Sequence, residues 1–143
     1  MNFVTKTLIA GLVLVAGAAF AAEATDPTVK ARQELMDTIG ANAKILGEMA
    51  GEKTAFDAAA AEAAKAAIVA AVAEIPVKFE PQATDPKSTA KPDVWTSWDA
   101  FLTKASALGT AAGALDATTL DGVKAGMAGV GGACKDCHTT YRM

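Results

Sequence analysis

The stretch that decides the fold lies near the end of the chain and reads Gly132-Ala133-Cys134-Lys135-Asp136-Cys137-His138-Thr139-Thr140-Tyr141-Arg142. Cys134, Cys137 and His138 form a C-x-x-C-H motif, and they are the only two cysteines and the only histidine among 143 residues. This motif is the attachment signature of a c-type haem. On a helix the two thiols lie on neighbouring turns of one face, where both can form thioethers with one haem edge. His138 then follows directly as an iron ligand.

Two other chemistries use a similar spacing. A disulfide-exchange motif of the thioredoxin type follows a strand, and no strand signal precedes Cys134. A zinc site needs a fourth ligand of the usual type beside Cys134, Cys137 and His138, and none is evident in the sequence. Covalent haem c, one per chain, is therefore the predicted cofactor.

Three glycines lead into the motif: Gly129, Gly131 and Gly132. Because a glycine inside a helix costs about 1 kcal/mol relative to alanine, we expect a flat ring or a neighbouring helix to approach them closely. A loosely wound helix start is the alternative.

Working outward from the motif, apolar residues at three and four spacing predict four helices. The first starts at Asp26-Pro27 and ends at Ala50-Gly51. The second runs from near Thr54 to Pro76, which we expect to stop it. The third is capped by Asp93, and a capping box of Thr118 with Asp121 precedes the fourth. Residues 76–92, with four prolines, are expected to be a surface crossover.

The composition agrees with helices that pack through small side chains. From Ala22 onward the chain has 30 alanines but only 20 residues of Leu, Ile, Val and Phe. That shortage argues against a β-sandwich, and the four helical segments predict an all-α antiparallel bundle. The same shortage leaves room for one large apolar group between the helices.

The first 21 residues are predicted to be a cleaved signal peptide, with residues 22–143 forming one domain. Lys6 precedes an uncharged apolar run, and Ala19-Phe20-Ala21 suits a signal peptidase. The run is too short to span a membrane, although a membrane anchor is the alternative. Export predicts a periplasmic protein. The net charge of −3 becomes more negative when Lys6 is removed, which makes nucleic acid an unsuitable partner.

With the C-terminal motif, Arg32-Gln33-Glu34-Leu35-Met36 and Lys91-Pro92-Asp93-Val94-Trp95, the chain resembles the class II cytochromes c. This family comprises cytochrome c′ and its low-spin, methionine-ligated relatives. The resemblance covers nearly all of the mature chain. It implies a left-handed antiparallel four-helix bundle with haem near one end.

The resemblance also implies roles for single residues. His138 would be the proximal iron ligand with Arg142 beside it, Arg32 would lie near a haem propionate, and Met36 would occupy the distal position. For Arg32 and Arg142 the alternatives are an exposed surface charge and a solvated C-terminal cation. For Met36 the alternative is a core methionine that packs against the haem without ligating it.

Met36 therefore separates two functions. Ligation by His138 and Met36 would give a low-spin haem suited to electron transfer. An unligated Met36 would leave a five-coordinate, high-spin haem that binds NO or other small gases. An enzyme is not predicted, because no acid/base pair stands apart from the haem motif. The implied partners are redox proteins of unnamed identity and, as in many family members, a second copy bound through the first two helices.

Overall fold

The structure is a computed structural model that describes residues 23–143, so the predicted signal peptide lies outside the described residues. Five helices occupy this range: α1 (Pro27–Ala50), α2 (Ala58–Phe79), α3 (Asp93–Thr96), α4 (Trp98–Ala114) and α5 (Leu120–Tyr141). The described part of the chain has no strand, only an isolated β-bridge between Ala90 and Arg142. None of the helices from residue 23 onward is long and apolar enough to cross a membrane.

The four long helices form a closed ring in which each contacts two others. Helix α1 packs against α2 and α5, and α4 packs against the same two helices. Lys124, near the start of α5, pairs with Glu52, just beyond the end of α1. The two helices therefore run antiparallel, and the predicted all-α four-helix bundle is confirmed.

The first helix begins and ends where the sequence predicts. The Asp26 carboxylate accepts hydrogen bonds from the backbone N–H groups of Thr28 and Val29, which satisfies donors that a helix start leaves unpaired. The helix ends at Ala50. Gly51 keeps a negative φ, and the left-handed residue is Glu52, with φ 55.

The second helix differs from the prediction at both ends. It begins at Ala58 with Asp57 as its cap, and Pro76 lies inside it rather than stopping it. Tertiary contacts explain the extension, because Phe79 is buried and its carbonyl accepts a hydrogen bond from the Trp95 indole at 2.7 Å. The loop that was expected over residues 76–92 accordingly starts at Glu80.

The caps of the later helices also differ in detail. Asp93 is the first residue of α3 rather than its cap, and a break at Ser97 separates this short helix from α4. Helix α5 is capped by Thr119, whose hydroxyl accepts from Gly122 N–H at 3.0 Å. The predicted cap, Thr118, instead donates its own N–H to Asp116.

Two earlier glycines of α5 are approached closely by the turn after α4, whereas a Cβ at Gly129 would only touch Ala111, at 3.7 Å. A Cβ at Gly126 would lie 2.6 Å from Leu115 Cγ, and one at Gly122 would lie 2.5 Å from the Asp116 carbonyl oxygen. At Gly131 and Gly132 a Cβ would meet no described atom within 4 Å. The glycines that need to be small therefore let the turn after α4 lie against α5.

Candidate haem site

A cavity of about 430 Å³ lies where α1 begins and α5 ends. Five of the six predicted site residues line it: Arg32, Met36, Cys137, His138 and Arg142. The sixth, Cys134, lies one turn before Cys137 on α5 and packs, partly buried, against the hydrophobic core. The structure thus brings residues from both ends of the sequence to one end of the bundle.

The two thiols share the inner face of α5. Cys134 and Cys137 are both unpaired and partly buried. Burial raises the pKa of each thiol. Thiols held one turn apart on one helix face suit attachment to one edge of a flat ring.

The imidazole of His138 lines the same cavity as Cys137. Desolvation lowers the pKa of His138, and the positive charge of Arg142 lowers it further. This favours the neutral imidazole, which is the form that ligates metals. Arg142 is tied to the same helical turn, because its backbone N–H donates to the His138 carbonyl at 3.0 Å.

Met36 reaches the cavity from α1, the helix antiparallel to α5. Its side chain is partly buried and packs against the hydrophobic core. Met36 and Arg32 are four residues apart in α1, so they share one face of that helix. One helix therefore presents both a thioether sulfur and a cation to the cavity.

Arg32 is a buried cation with one unused donor. The residue is only 3% exposed, so the alternative of an exposed surface charge is wrong. Its Nε donates to the Lys78 carbonyl at 3.1 Å, and Nη2 donates to the Pro81 carbonyl. Nη1 is buried without a hydrogen-bond partner among the described residues. Desolvation lowers the pKa of Arg32, while the charge of Asp26 raises it.

An anionic acceptor in the cavity would satisfy this Nη1. A haem carries carboxylate groups at one edge, and an arginine is well suited to bind them. One thiol, a neutral imidazole, a thioether and an unpaired guanidinium donor at one cavity, with the second thiol one helical turn away, therefore fit a haem. Within residues 23–143, no group of three or more His, Cys, Asp and Glu side chains is placed to hold a bare metal ion.

The loop after α2 contributes a wall of the cavity that the sequence did not predict. Ser88, Thr89 and Ala90 line the cavity. Met143 N–H donates to the Thr89 carbonyl at 2.8 Å, and Lys91 N–H donates to the Tyr141 carbonyl at 2.9 Å. The loop is thereby fixed to the end of α5. Its length and prolines indicated a loop but not its position beside the motif.

Comparisons with known proteins identify the family of the chain. The family model for cytochrome c′ matches residues 27–142. The chain is 35% identical to cytochrome c-556 of Agrobacterium fabrum, over 96% of this chain and 95% of that protein. It is similar to the solved cytochrome c′ from Rhodobacter Spheriodes, with a TM-score of 0.75, 28% identity and coverage of 81% of this chain and 95% of that one.

A further solved relative is a nitric oxide complex of a mutant cytochrome c prime from Alcaligenes xylosoxidans. Its TM-score is 0.71 at 26% identity, and the similarity covers 80% of this chain and 93% of that one. These relatives are cytochromes rather than catalytic enzymes. The chain therefore belongs to the cytochrome c′ family of class II c-type cytochromes, and it is a haem c electron carrier of that family.

Proposed function

We propose that this cytochrome is a low-spin electron carrier whose haem iron has His138 and Met36 as axial ligands. The observation that supports this most directly is that Met36 from α1 and His138 from α5 line one cavity. When bound, a haem with this ligand pair takes up and releases one electron, and methionine ligation raises its potential. Cys134 and Cys137 are the thioether residues in this proposal.

Other residues of the cavity set the charge and the water content around these two ligands. Arg142 disfavours protonation of His138, which keeps a lone pair available on the imidazole. Arg32 supplies a fixed positive charge at the wall formed by α1 and the end of α2. Phe79, Phe101 and Tyr141 exclude water with aromatic rings whose centroids lie 5.2 to 5.3 Å apart.

The visible spectrum of the purified holoprotein tests the axial ligands. We expect a low-spin ferrous spectrum and a weak red methionine–iron band in the ferric form. The Met36→Leu variant should lose that band and become high-spin. Met127→Leu is the matched control, because Met127 is also partly buried but lies against Gly47, away from the cavity lining. A high-spin wild type would overturn the proposal.

The second candidate is a five-coordinate haem protein that binds NO, with Met36 packed but not ligating. The cytochrome c′ relatives favour it, one of them solved as a nitric oxide complex. Rapid formation of NO and CO adducts by the reduced wild type would support this second function. Inertness toward CO, with rapid binding in Met36→Leu, would support ligation by Met36.

We further propose export to the periplasm and assembly as a homodimer. Export is supported by the charged and apolar pattern of residues 1–21, and an intact mass that begins at Ala22 would verify the cleavage. A homodimer is supported by the exposed outer face of α2, where Val69 is 39% and Val77 is 63% exposed.

A further inference from the structure

We propose that Trp95 is a positioning residue that holds the Arg32 guanidinium toward the cavity and through it sets the reduction potential of the haem. The inference rests on the proposed function in one respect, namely that Arg32 acts on the haem through its unused donor. It concerns a residue that does not line the cavity itself.

The guanidinium of Arg32 lies against two aromatic rings. Its central carbon is 5.0 Å from the centroid of the Trp95 ring and 5.4 Å from that of the Phe79 ring. A guanidinium within about 6 Å of a ring centroid is attracted by the ring, most strongly by tryptophan. Trp95 is also held in place, because its indole N–H donates to the Phe79 carbonyl at 2.7 Å.

The hydrogen bonds of Arg32 show why its orientation matters. Nε and Nη2 are used by carbonyls at the end of α2, those of Lys78 and Pro81. These contacts leave Nη1 as the buried donor without a partner in the described part of the chain. A buried donor without an acceptor is unfavourable. A carboxylate of the cofactor would remove this cost by accepting a hydrogen bond from Nη1.

Trp95 brings a residue of α3 into contact with Arg32 of α1 and the end of α2. The residue lies in α3, one turn after the loop that forms a wall of the cavity. Without the indole, the Arg32 guanidinium would lose the ring that packs against it, and the Phe79 carbonyl would lose its hydrogen bond from Trp95. Arg32 would then be free to adopt other rotamers, and its charge would move away from the haem.

A cation close to the iron disfavours the more positively charged oxidised state, so displacing Arg32 should lower the potential. Redox titration of the holoprotein measures this effect. We expect Trp95→Leu to lower the ratio of reduced to oxidised protein about tenfold at fixed ambient potential, which is about 59 mV for one electron. Trp95→Phe keeps a ring but loses the indole donor, and it should shift the ratio less.

Trp98→Leu is the matched control. Trp98 is also partly buried, but it stacks on Phe101, with 5.5 Å between ring centroids, and does not lie over Arg32. Because Phe101 lines the cavity, any shift that Trp98→Leu causes should be the same with and without Arg32. The decisive comparison repeats Trp95→Leu in an Arg32→Leu background, where we expect no further shift because Trp95 acts through Arg32.

Equal shifts in both backgrounds, or no shift on Trp95→Leu while Arg32→Leu lowers the potential, would overturn the inference. If Trp95→Leu does not retain haem, Trp95→Phe carries the same comparison with less change in volume. A high-spin wild type would contradict ligation by Met36. The titrations would still test Trp95, because the difference between backgrounds does not depend on the sixth ligand.

Discussion

At the scale of single residues, α1 shows how a spacing of four positions serves one cavity. Arg32 and Met36 both line the site, and between them they provide a charge and a neutral sulfur. Arg32 tolerates burial because two carbonyls and two aromatic rings replace most of its hydration. Its remaining nitrogen, Nη1, has no partner among the described residues, and a haem carboxylate is the acceptor that we propose for it.

Gly126 lies where α5 has no room for a larger side chain. A Cβ at this position would lie 2.6 Å from Leu115 Cγ and 2.9 Å from Leu115 Cβ, and Leu115 is buried. Overpacking of this kind costs about 1–3 kcal/mol. Alanine gains up to about 1 kcal/mol over glycine in a helix, which offsets part of this cost. We therefore expect Gly126→Ala to lower the free energy of unfolding by about 0–2 kcal/mol in urea denaturation of the holoprotein, and by more than its control does.

The control for this substitution is Gly113→Ala in α4. A Cβ at Gly113 would meet no described atom within 4 Å, and alanine favours a helix over glycine by up to about 1 kcal/mol. The control should therefore be unchanged or slightly more stable. A loss as large as that of Gly126→Ala would show that steric overlap with Leu115 is not the cause.

At the scale of elements, the loop of residues 80–92 is anchored along its whole length. Asp85 fixes its first half to the segment before α1, accepting from Thr25 N–H at 2.7 Å and Asp26 N–H at 2.9 Å. The Gln33 amide donates to the Lys87 carbonyl at 2.9 Å. With the two backbone bonds to the end of α5, these contacts make the loop a fixed wall of the haem site.

The carboxylate of Asp85 makes this anchoring sensitive to acid. Hydrogen bonds from the backbone of Asp26 and Lys87, with smaller contributions from Thr25, lower the pKa of Asp85 from 3.8 to about 2. A lowered folded-state pKa stabilises the protein fully above the unfolded pKa, and the stabilisation is lost as pH falls toward the folded value. The window here is pH 4 to 2.

We therefore expect the free energy of unfolding of the wild type to fall more steeply between pH 4 and 2 than that of Asp85→Asn, which cannot titrate. Denaturant titrations at several pH values would measure the difference. Asp93→Asn, which changes an exposed carboxylate of α3, should leave the free energy of unfolding at neutral pH unchanged, whereas Asp85→Asn should lower it. Identical slopes for Asp85→Asn and wild type would refute the anchoring role.

Asp136, which lies within the haem motif on α5, forms an ion pair with a lysine of α4. Its carboxylate is exposed and lies 2.5 Å from Lys104 Nζ on α4. The pair raises the pKa of Lys104 through its hydrogen bond and charge. Exposed pairs of this kind stabilise proteins little.

At the scale of the whole molecule, small side chains let the four helices approach one another closely. Ala61, Ala64, Ala112 and Ala117 are each at most 2% exposed. Larger buried residues, among them Leu46, Ile68 and Val123, fill the remaining space. The cavity lies at one end of the bundle. Because the chain has few large apolar side chains, this space remains for a large flat cofactor to fill.

The outer face of α2 presents the surface for the proposed homodimer. Six of its exposed residues form a stripe of small side chains, flanked by the exposed Glu62, Val69 and Glu74: Ala59, Ala63, Ala66, Ala70, Ala73 and Val77. A charge placed in such an interface would be desolvated without a partner. We therefore expect Ala66→Glu to shift the holoprotein from dimer to monomer in sedimentation equilibrium, with at least a tenfold weaker association, roughly 1.4 kcal/mol.

Ala107→Glu on the exposed face of α4 is the matched control for this substitution. It should leave the association constant unchanged, because α4 is outside the proposed interface. A wild type that stays monomeric at all concentrations, or equal weakening by both variants, would contradict a dimer formed through α2.

The sequence alone determined the chemistry and the class of fold. The C-x-x-C-H spacing of Cys134, Cys137 and His138 predicts a covalently attached haem c, and local periodicity predicts the helices. The start of α1 at Asp26-Pro27 was equally local, because the cap uses hydrogen bonds within one turn. Features of this kind are readable because neighbouring residues decide them.

Only the tertiary structure decided what surrounds that chemistry. Helix α2 passes Pro76 because Phe79 is buried and its carbonyl pairs with Trp95. Arg32 is buried rather than exposed because the end of α2 provides its acceptors, 46 and 49 residues away in sequence. Contacts between such distant residues leave no periodic signal, since their free energy comes from packing and desolvation that exist only once the bundle has formed.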